Sequence, residues 1–365
     1  MIRRLGLLLA SIIFLTAAGC DRIDLSTLET GDQILVPPIT AGEAPKIRVV
    51  GSSTVGPFAN AVAEQFGAVS GFPTPIVEVT GTGGGFKAFC AGTGPDEPSI
   101  SDASREMLES ERGLCASNGV SQITEIRIGY DGIVLAGAKT GPDFSLTKTD
   151  LYHALARELP DGQGGFMINP NRSWRDVGAH LPDEPILVFG PPPTSGTRDA
   201  LAELGLEVGA MEDPFMAALA ASDPEVFRDK ALTIRTDGAW IDFGENDSAI
   251  IQSLLKTPGA LGVLGFSFLE RNADRVKAAK LSGVDAEFEH IKSGAYGLSR
   301  LLFVYVKCQN LNQVPGLVEF LEEFLSEAAV GPDGYLIEKG LIPLSDDDIA
   351  AQREKVSGLQ PVAGN

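Results

Sequence analysis

Three short turns rich in glycine, serine and threonine are the residues in this chain best suited to holding a ligand. They are Gly51-Ser52-Ser53-Thr54-Val55-Gly56, Gly81-Thr82-Gly83-Gly84-Gly85 and Thr194-Ser195-Gly196-Thr197. Each follows an apolar, strand-like run and precedes a helix-like one. At such a junction the first backbone N–H groups of the helix have no intrahelical partner and carry the positive end of the macrodipole. Hydroxyls at Ser53, Thr54, Ser195 and Thr197 add donors, the Val55 N–H adds another, and Gly83, Gly84 and Gly196 let backbone approach closely. Together they describe a cage for a small oxyanion. A tetrahedral anion at the third turn takes bonds from two hydroxyls and from the Gly196 and Thr197 N–H groups. The plainer reading of each turn taken alone is a Ser/Thr helix cap or a tight turn.

Charge for such a cage is expected from Ser104-Arg105, because an arginine fork matches an oxyanion bidentately and keeps its proton. The plainer alternative for Arg105 is an ion pair with Glu109, one helical turn on. Lys87 and Arg198 read as solvated helix residues. Catalytic readings find less support. His153, His180 and His290 share no helical face, so no metal site is expected. A P-loop lysine and a Gly-x-Ser-x-Gly elbow are both missing from the turns, and Phe86 stands where a dinucleotide fingerprint needs its third glycine. Asp346-Asp347-Asp348 reads as a solvated helix start.

The elements that must position these turns alternate. Ile47 to Val50 leads through the first turn to a helix in which Phe58, Val62 and Phe66 recur every four residues behind Pro57. Ile76 to Val79 leads through the glycine turn to a helix near Phe86. Ser99 to Arg105 leads to a helix over Glu106 to Leu114. Further helices are expected near Thr149–Leu159, Thr197–Leu204, Asn246–Leu255 and Leu317–Ala328, with strands at Ile186–Phe189 and Leu301–Val306. The longest β-rich run, Ile126 to Ala136, reads as a strand crossing between two lobes. The pattern predicts an α/β protein with mainly parallel pairing. The roughly 320 residues that remain after the N-terminal segment exceed what one core supports, so two lobes are expected.

The N-terminus reads as an export signal: Arg3 and Arg4, an apolar stretch from Leu5 to Leu15, then Ala17-Ala18-Gly19 before Cys20. The junction is similar to a bacterial lipobox with Ala17 in the usual leucine place, which makes Cys20 a lipidated N-terminus. Asp21 then points to retention at the inner membrane, and the periplasm is the expected compartment. The alternative is an ordinary cleaved signal. Residues 21–45 read as a tether and 351–365 as a polar, frayed tail. Export places cysteines in an oxidising compartment, and Cys90 and Cys115 flank one loop-rich stretch, so they are the expected disulfide. Cys308 reads as a strand-end thiol. A net charge of −20 argues against nucleic acid as a partner. It does not argue against an anion receptor, whose aimed dipoles act locally while the outer field is screened within about 8 Å.

The segments Gly51 to Phe58, Gly81 to Lys87, Ser101 to Arg105 and Pro193 to Arg198, in that order, resemble the phosphate-binding proteins of the bacterial phosphate-specific (Pst-type) ABC transporter. The resemblance runs from Lys46 to about Ile349. It implies a type II periplasmic-binding-protein fold: two α/β lobes joined by crossing strands, closing over one phosphate in the cleft between them. On this chain that gives a first lobe of residues 46–130 and 280–350 and a second of 131–279. It also implies a monomer that delivers phosphate to a membrane permease, without catalysis, metal or cofactor. Matched by motif, the ligand contacts fall on Thr54, the Val55 N–H, Ser195, Gly196 and Thr197. Gly84 replaces the family's serine in the second turn, and Pro191 lies where an arginine often precedes the Ser-Gly-Thr turn. The family's aspartate after the third strand, which accepts the phosphate proton and so rejects sulfate, is replaced by Arg105. Asp102, Asp247 and Asp131 are its possible substitutes. Alternatives are a receptor for sulfate, molybdate or a phosphonate, and a phosphate-ester hydrolase using Ser53 or Ser195.

Overall fold

A computed structural model of the chain describes residues 45–244 and 246–360. The expected leader at 1–20 with Cys20, and the expected tether up to residue 44, lie outside the described residues.

The first three strand-turn-helix units form as the local patterns dictate. Strands β1 (Arg48–Gly51), β2 (Ile76–Val79) and β3 (Ile100–Ala103) pair in parallel, with β1 in the middle. Helix α1 (Gly56–Val69) starts with Pro57 in its first turn, and α2 (Thr82–Phe89) and α3 (Glu109–Ser117) follow the other two strands. Strand side chains alternate between two cores: Val49 joins one and Val50 the other.

The expected crossing strand is β4, Ile123–Ala138, sixteen residues long. It carries both lobes. Its first part, up to Gly132, pairs antiparallel with the returning strand, which spans Ser299–Lys307. Its last part, from Ile133, pairs with the strand Leu261–Gly265. Ile126 and Ile128 therefore pack in the first lobe, whereas Ile133 to Ala136 form a continuous apolar run in the core of the second. Labelling the later strands in chain order, β5 is Val188–Gly190, β6 Trp240–Asp242, β7 Leu261–Gly265, β8 Val276–Ala278 and β9 Ser299–Lys307. Among the described residues, the long sheet runs β2-β1-β3-β9-β4-β7-β5-β6, with β8 also paired to β4.

Four sequence expectations need correction here. The pairing is mixed rather than mainly parallel, because β9 runs antiparallel to β3 and β4, and β7 and β8 run antiparallel to β4. The second core contains Leu281, Ile291, Tyr296 and Leu298, so that lobe's packing runs past residue 279. The region from 351 is no frayed tail as far as it is described. Helix Asp346–Ser357 continues through it, because Ile349, Gln352 and Val356 fall on one buried face. Gln352 Oε1 accepts the Arg127 N–H at 3.1 Å and Arg353 Nε donates to the Leu325 carbonyl at 2.7 Å, which ties that helix to the first lobe. Arg198 is not solvated either: it stacks over the Trp240 ring at 5.0 Å and pairs with Asp242. The acidic triplet does open a helix, behind the Ser345 cap.

Cys90 and Cys115 are joined in a disulfide across 25 residues, between α2 and α3, inside a small core with Phe86, Phe89 and Tyr305. Cys308 directly follows β9, with its sulfur 3.2 Å from Thr124 Oγ1. Closing a loop of this length constrains the unfolded chain, so Cys115→Ala should lower unfolding stability by about 2–4 kcal/mol. Urea titration under oxidising conditions measures this. Equal midpoints for the variant and the parent would show that the link does not stabilise the fold.

Candidate functional site

The expected turns meet where the two lobes face each other, but they do so in two groups. The first group touches directly across the lobes. Ser53 Oγ donates to Asp199 Oδ2 at 2.6 Å, and Thr54 Oγ1 lies 3.4 Å from the Gly196 carbonyl. Gly196 is required at this approach, because a Cβ there would lie 2.5 Å from the Thr54 Cα. Ser195 caps its helix, Gly196–Leu201, by accepting the Thr197 N–H at 3.3 Å. The Thr54 and Val55 N–H groups point at Ser52 Oγ, at 3.1 and 3.4 Å.

The second group lines an open cleft of about 750 Å³. Gly83 and Gly84 are exposed at the start of α2, with Ser104 and Arg105 opposite them. Thr82 Oγ1 accepts the Ser104 N–H at 3.3 Å and lies 3.1 Å from Ser104 Oγ, so two hydroxyls sit together at one helix N-terminus. Arg105 reaches this wall, yet its fork is already engaged. It donates to both Glu111 oxygens at 2.8 and 2.9 Å and to the Glu106 carbonyl at 3.0 Å, above the Phe86 ring. Its ion partner is Glu111 rather than Glu109. The Glu111 hydrogen bond holds the guanidinium's pKa above its ordinary value.

One residue touches both groups: Arg300, on β9. Its Nη2 donates to Thr54 Oγ1 at 2.7 Å and its Nη1 to Glu203 Oε2 at 2.7 Å, while Nε lies 3.5 Å from Asp131 Oδ2. Its side chain is only 10% exposed. A charge this buried has to be matched, and Asp131 on the crossing strand supplies the match from behind. Burial pushes the Asp131 carboxyl above its usual range, with Arg300 opposing that shift. Both Asp131 Oδ2 and Arg300 Nε lack a hydrogen-bond partner.

Sequence reasoning missed Arg300, and also Glu203 and Arg228, which line the same cleft. A signal for Arg300 was present. Along β9 it falls in step with Leu302, Val304 and Val306, all buried, so a charge stood on the core-facing side of an apolar strand. Glu203 carried no such signal, because it sits in a π-helical segment, Ala202–Glu207, that shifts side-chain register from the α-helical spacing.

Of the three substitute carboxylates, Asp131 abuts Arg300. Asp102 lies beneath the first turn, where its Oδ1 accepts the Ser52 N–H at 2.6 Å. Asp247 is elsewhere: it begins its own helix, accepts the Gly265 N–H at 3.3 Å, and is absent from the cleft wall. Among the described residues, no group of three or more His, Cys, Asp and Glu side chains is placed to hold a metal ion. Also among these residues, no helix is long and apolar enough to cross a membrane.

A two-lobed α/β body joined by crossing strands, with helix N-termini, hydroxyls and a buried guanidinium facing a shared cleft, defines a solute receptor for a small anion. The chain belongs to the PBP superfamily, whose domain model matches residues 36–328. It is similar to Protein SphX of Synechococcus elongatus, 28% identical over 84% of this chain and 80% of that protein. It is also similar to the phosphate-binding protein PstS of Staphylococcus saprophyticus, 25% identical over 85% of this chain and 83% of its relative. Among solved structures it resembles a possible phosphate binding protein from Planctomyces limnophilus, at a TM-score of 0.67 and 28% identity, covering 86% of this chain and 98% of the other. An ABC-type phosphate transport receptor from Vibrio cholerae shares the fold, with a TM-score of 0.54 and 19% identity over 82% of this chain and all of the other.

Burial raises the Asp102 carboxyl from 3.8 to about 7, against the Ser52 N–H bond that lowers it. A carboxyl that holds its proton more tightly when folded stabilises the fold below its unfolded value of 3.8. That contribution is lost as pH rises through 7. Asp102→Asn keeps the oxygen that faces Ser52 and removes the titration. Its melting temperature should therefore rise relative to the parent between pH 5 and pH 8, as followed by thermal unfolding across pH. A difference that stays constant over that range would contradict the shift.

Proposed function

We propose that this chain is an extracytoplasmic receptor that captures inorganic phosphate and delivers it to an ABC-type permease. Arg300 is the observation that carries the reading: a nearly buried guanidinium, braced by Asp131, that joins the turn at Thr54 to the cleft lined by Gly83, Gly84 and Ser104. A fork in that position offers fixed positive charge to a tetrahedral anion without reorganising when the ligand arrives. Hydroxyls of Thr82 and Ser104 and the first N–H groups of α2 complete one side. Ser53, Thr54, Val55, Ser195, Gly196 and Thr197 complete the other once the direct Thr54–Gly196 contact gives way to the ligand. Arg105 then serves as an outer charge rather than the main one. The resemblance of the turns to the phosphate-specific receptors, and the names of the similar proteins, support phosphate over sulfate, molybdate or a phosphonate.

Asp131 is the carboxylate we assign to the phosphate proton, since its Oδ2 is a buried acceptor with no hydrogen-bond partner, 3.5 Å from Arg300 Nε. Sulfate, which has no proton to give at neutral pH, would leave it unfilled. Lobes of 46–130 with the return from Ser299, and of 131 to 298, would close about β4 and β9. We assign the leader to export, Cys20 to a lipid anchor at the inner membrane, and the receptor to the periplasm as a monomer. The hydrolase alternative gains a base for Ser53 in Asp199, but Ser195 Oγ is used as a helix cap. Turnover of a chromogenic phosphate ester would favour it.

Calorimetric titration with phosphate and sulfate tests the reading. Arg300→Ala should weaken phosphate binding by about 2–5 kcal/mol, because it removes a buried charge partner of the anion. Arg105→Ala, at a half-exposed pair, should change it by less than about 1 kcal/mol. Asp131→Asn should narrow the preference for phosphate over sulfate. A larger loss at Arg105 than at Arg300 would move the site to the outer wall.

A further inference from the structure

The cleft wall already presents an anion to Arg300. Glu203 Oε2 accepts from Arg300 Nη1 at 2.7 Å, and its other oxygen lies 3.9 Å from Arg228 Nη2. It enters from the second lobe, on the π-helical segment Ala202–Glu207, whereas Arg300 belongs to β9, on the return to the first lobe. The two side chains differ in freedom. Arg300 is 10% exposed and pinned by Thr54 and Asp131, while Glu203 is 39% exposed and has only its two arginines to hold it. When an oxyanion seeks the same fork, Glu203 is the partner that can leave.

We propose that Glu203 is a tethered competitor for the ligand: it occupies the Arg300 fork in the empty receptor and is displaced by the incoming oxyanion. This rests on the phosphate reading of the same cleft. A nearly buried arginine with no carboxylate in front of it would bind any small anion in the medium. With Glu203 in place, a ligand must out-compete an ion pair already made, so weakly coordinating monoanions are turned away and a more highly charged, multiply hydrogen-bonding oxyanion is admitted. Affinity for the ligand is reduced by the strength of that pair, and selectivity is what the receptor gains. Glu203 is thus a positioning and selectivity residue acting through Arg300.

The proposal runs against the ordinary outcome of altering a binding cleft, which is loss. Mature protein should be titrated calorimetrically with inorganic phosphate, alongside Glu203→Gln and Glu207→Gln. Glu207 lines the same cleft and carries the same charge but makes no bond to Arg300, so it measures the general field. Glu203→Gln should bind phosphate about five-fold more tightly, the upper end for a half-exposed ion pair, and Glu207→Gln by clearly less. Unliganded Glu203→Gln should melt below the parent, and phosphate should raise its melting temperature by more. Should Glu203→Gln not fold, Glu203→Asp, which draws the carboxylate back by one methylene, serves the same test with a smaller gain. Unchanged or weaker binding in the Glu203 variants, or equal gains at Glu203 and Glu207, would overturn the competitor role. If the parent itself takes no phosphate, the phosphate reading fails and the competitor role falls with it.

Discussion

A guanidinium buried between two lobes has to be matched by charge on every side it presents, and much of this site follows from how Arg300 is matched. Asp131 faces it on the crossing strand, Thr54 accepts from it at the first turn, and Glu203 accepts from it across the lobes. Taking any ion out of water is expensive, and the arginine held in this way is where we propose that the anion arrives. The N-termini of the flanking helices and the hydroxyls at Thr82 and Ser104 add donors whose geometry is fixed by the backbone. Such preorganisation allows the ligand to be met by donors already in place, with only Glu203 and the Thr54–Gly196 contact giving way.

The fold supplies the frame that makes this possible. β4 is a member of both cores, and β9 pairs with its first half, so Asp131 and Arg300 sit opposite each other in register where the two strands pass between the lobes. The turns at Thr54 and Gly196 belong to different lobes and touch each other directly. A ligand that enters must replace those contacts with better ones. Its differential contacts alone set how far the balance between open and closed forms moves.

Much of this was legible in the sequence, for local reasons. Each turn sits inside a strand-turn-helix unit spanning a few tens of residues, and the crossing strand announces itself as an unusually long β-rich run. The cysteine pair was legible from compartment and spacing. What escaped depends on tertiary register. Arg105 looked like the main charge because it lies beside a turn, but Glu111 on the next helix claims its fork. Arg300 fell just outside the expected strand Leu301–Val306, and only the pairing of β9 with β4 sets it against Asp131. Arg198 seemed solvated until Trp240, forty-two residues later, came to lie under it. The stretch after residue 350 looked frayed by composition, yet a single face bearing Gln352 and Val356 was enough to hold it in place.

The central claim is that an oxyanion is bound between the lobes on the Arg300 fork. Arsenate is tetrahedral like phosphate and scatters anomalously, so the most direct measurement is a crystal structure of the mature protein grown with arsenate, with the arsenic located by its anomalous signal. The account predicts one peak within hydrogen-bonding reach of Arg300, with oxygen contacts to donors of both lobes and Glu203 turned away. A peak on Arg105 alone, or one contacted by a single lobe while Arg300 still holds Glu203, would contradict it.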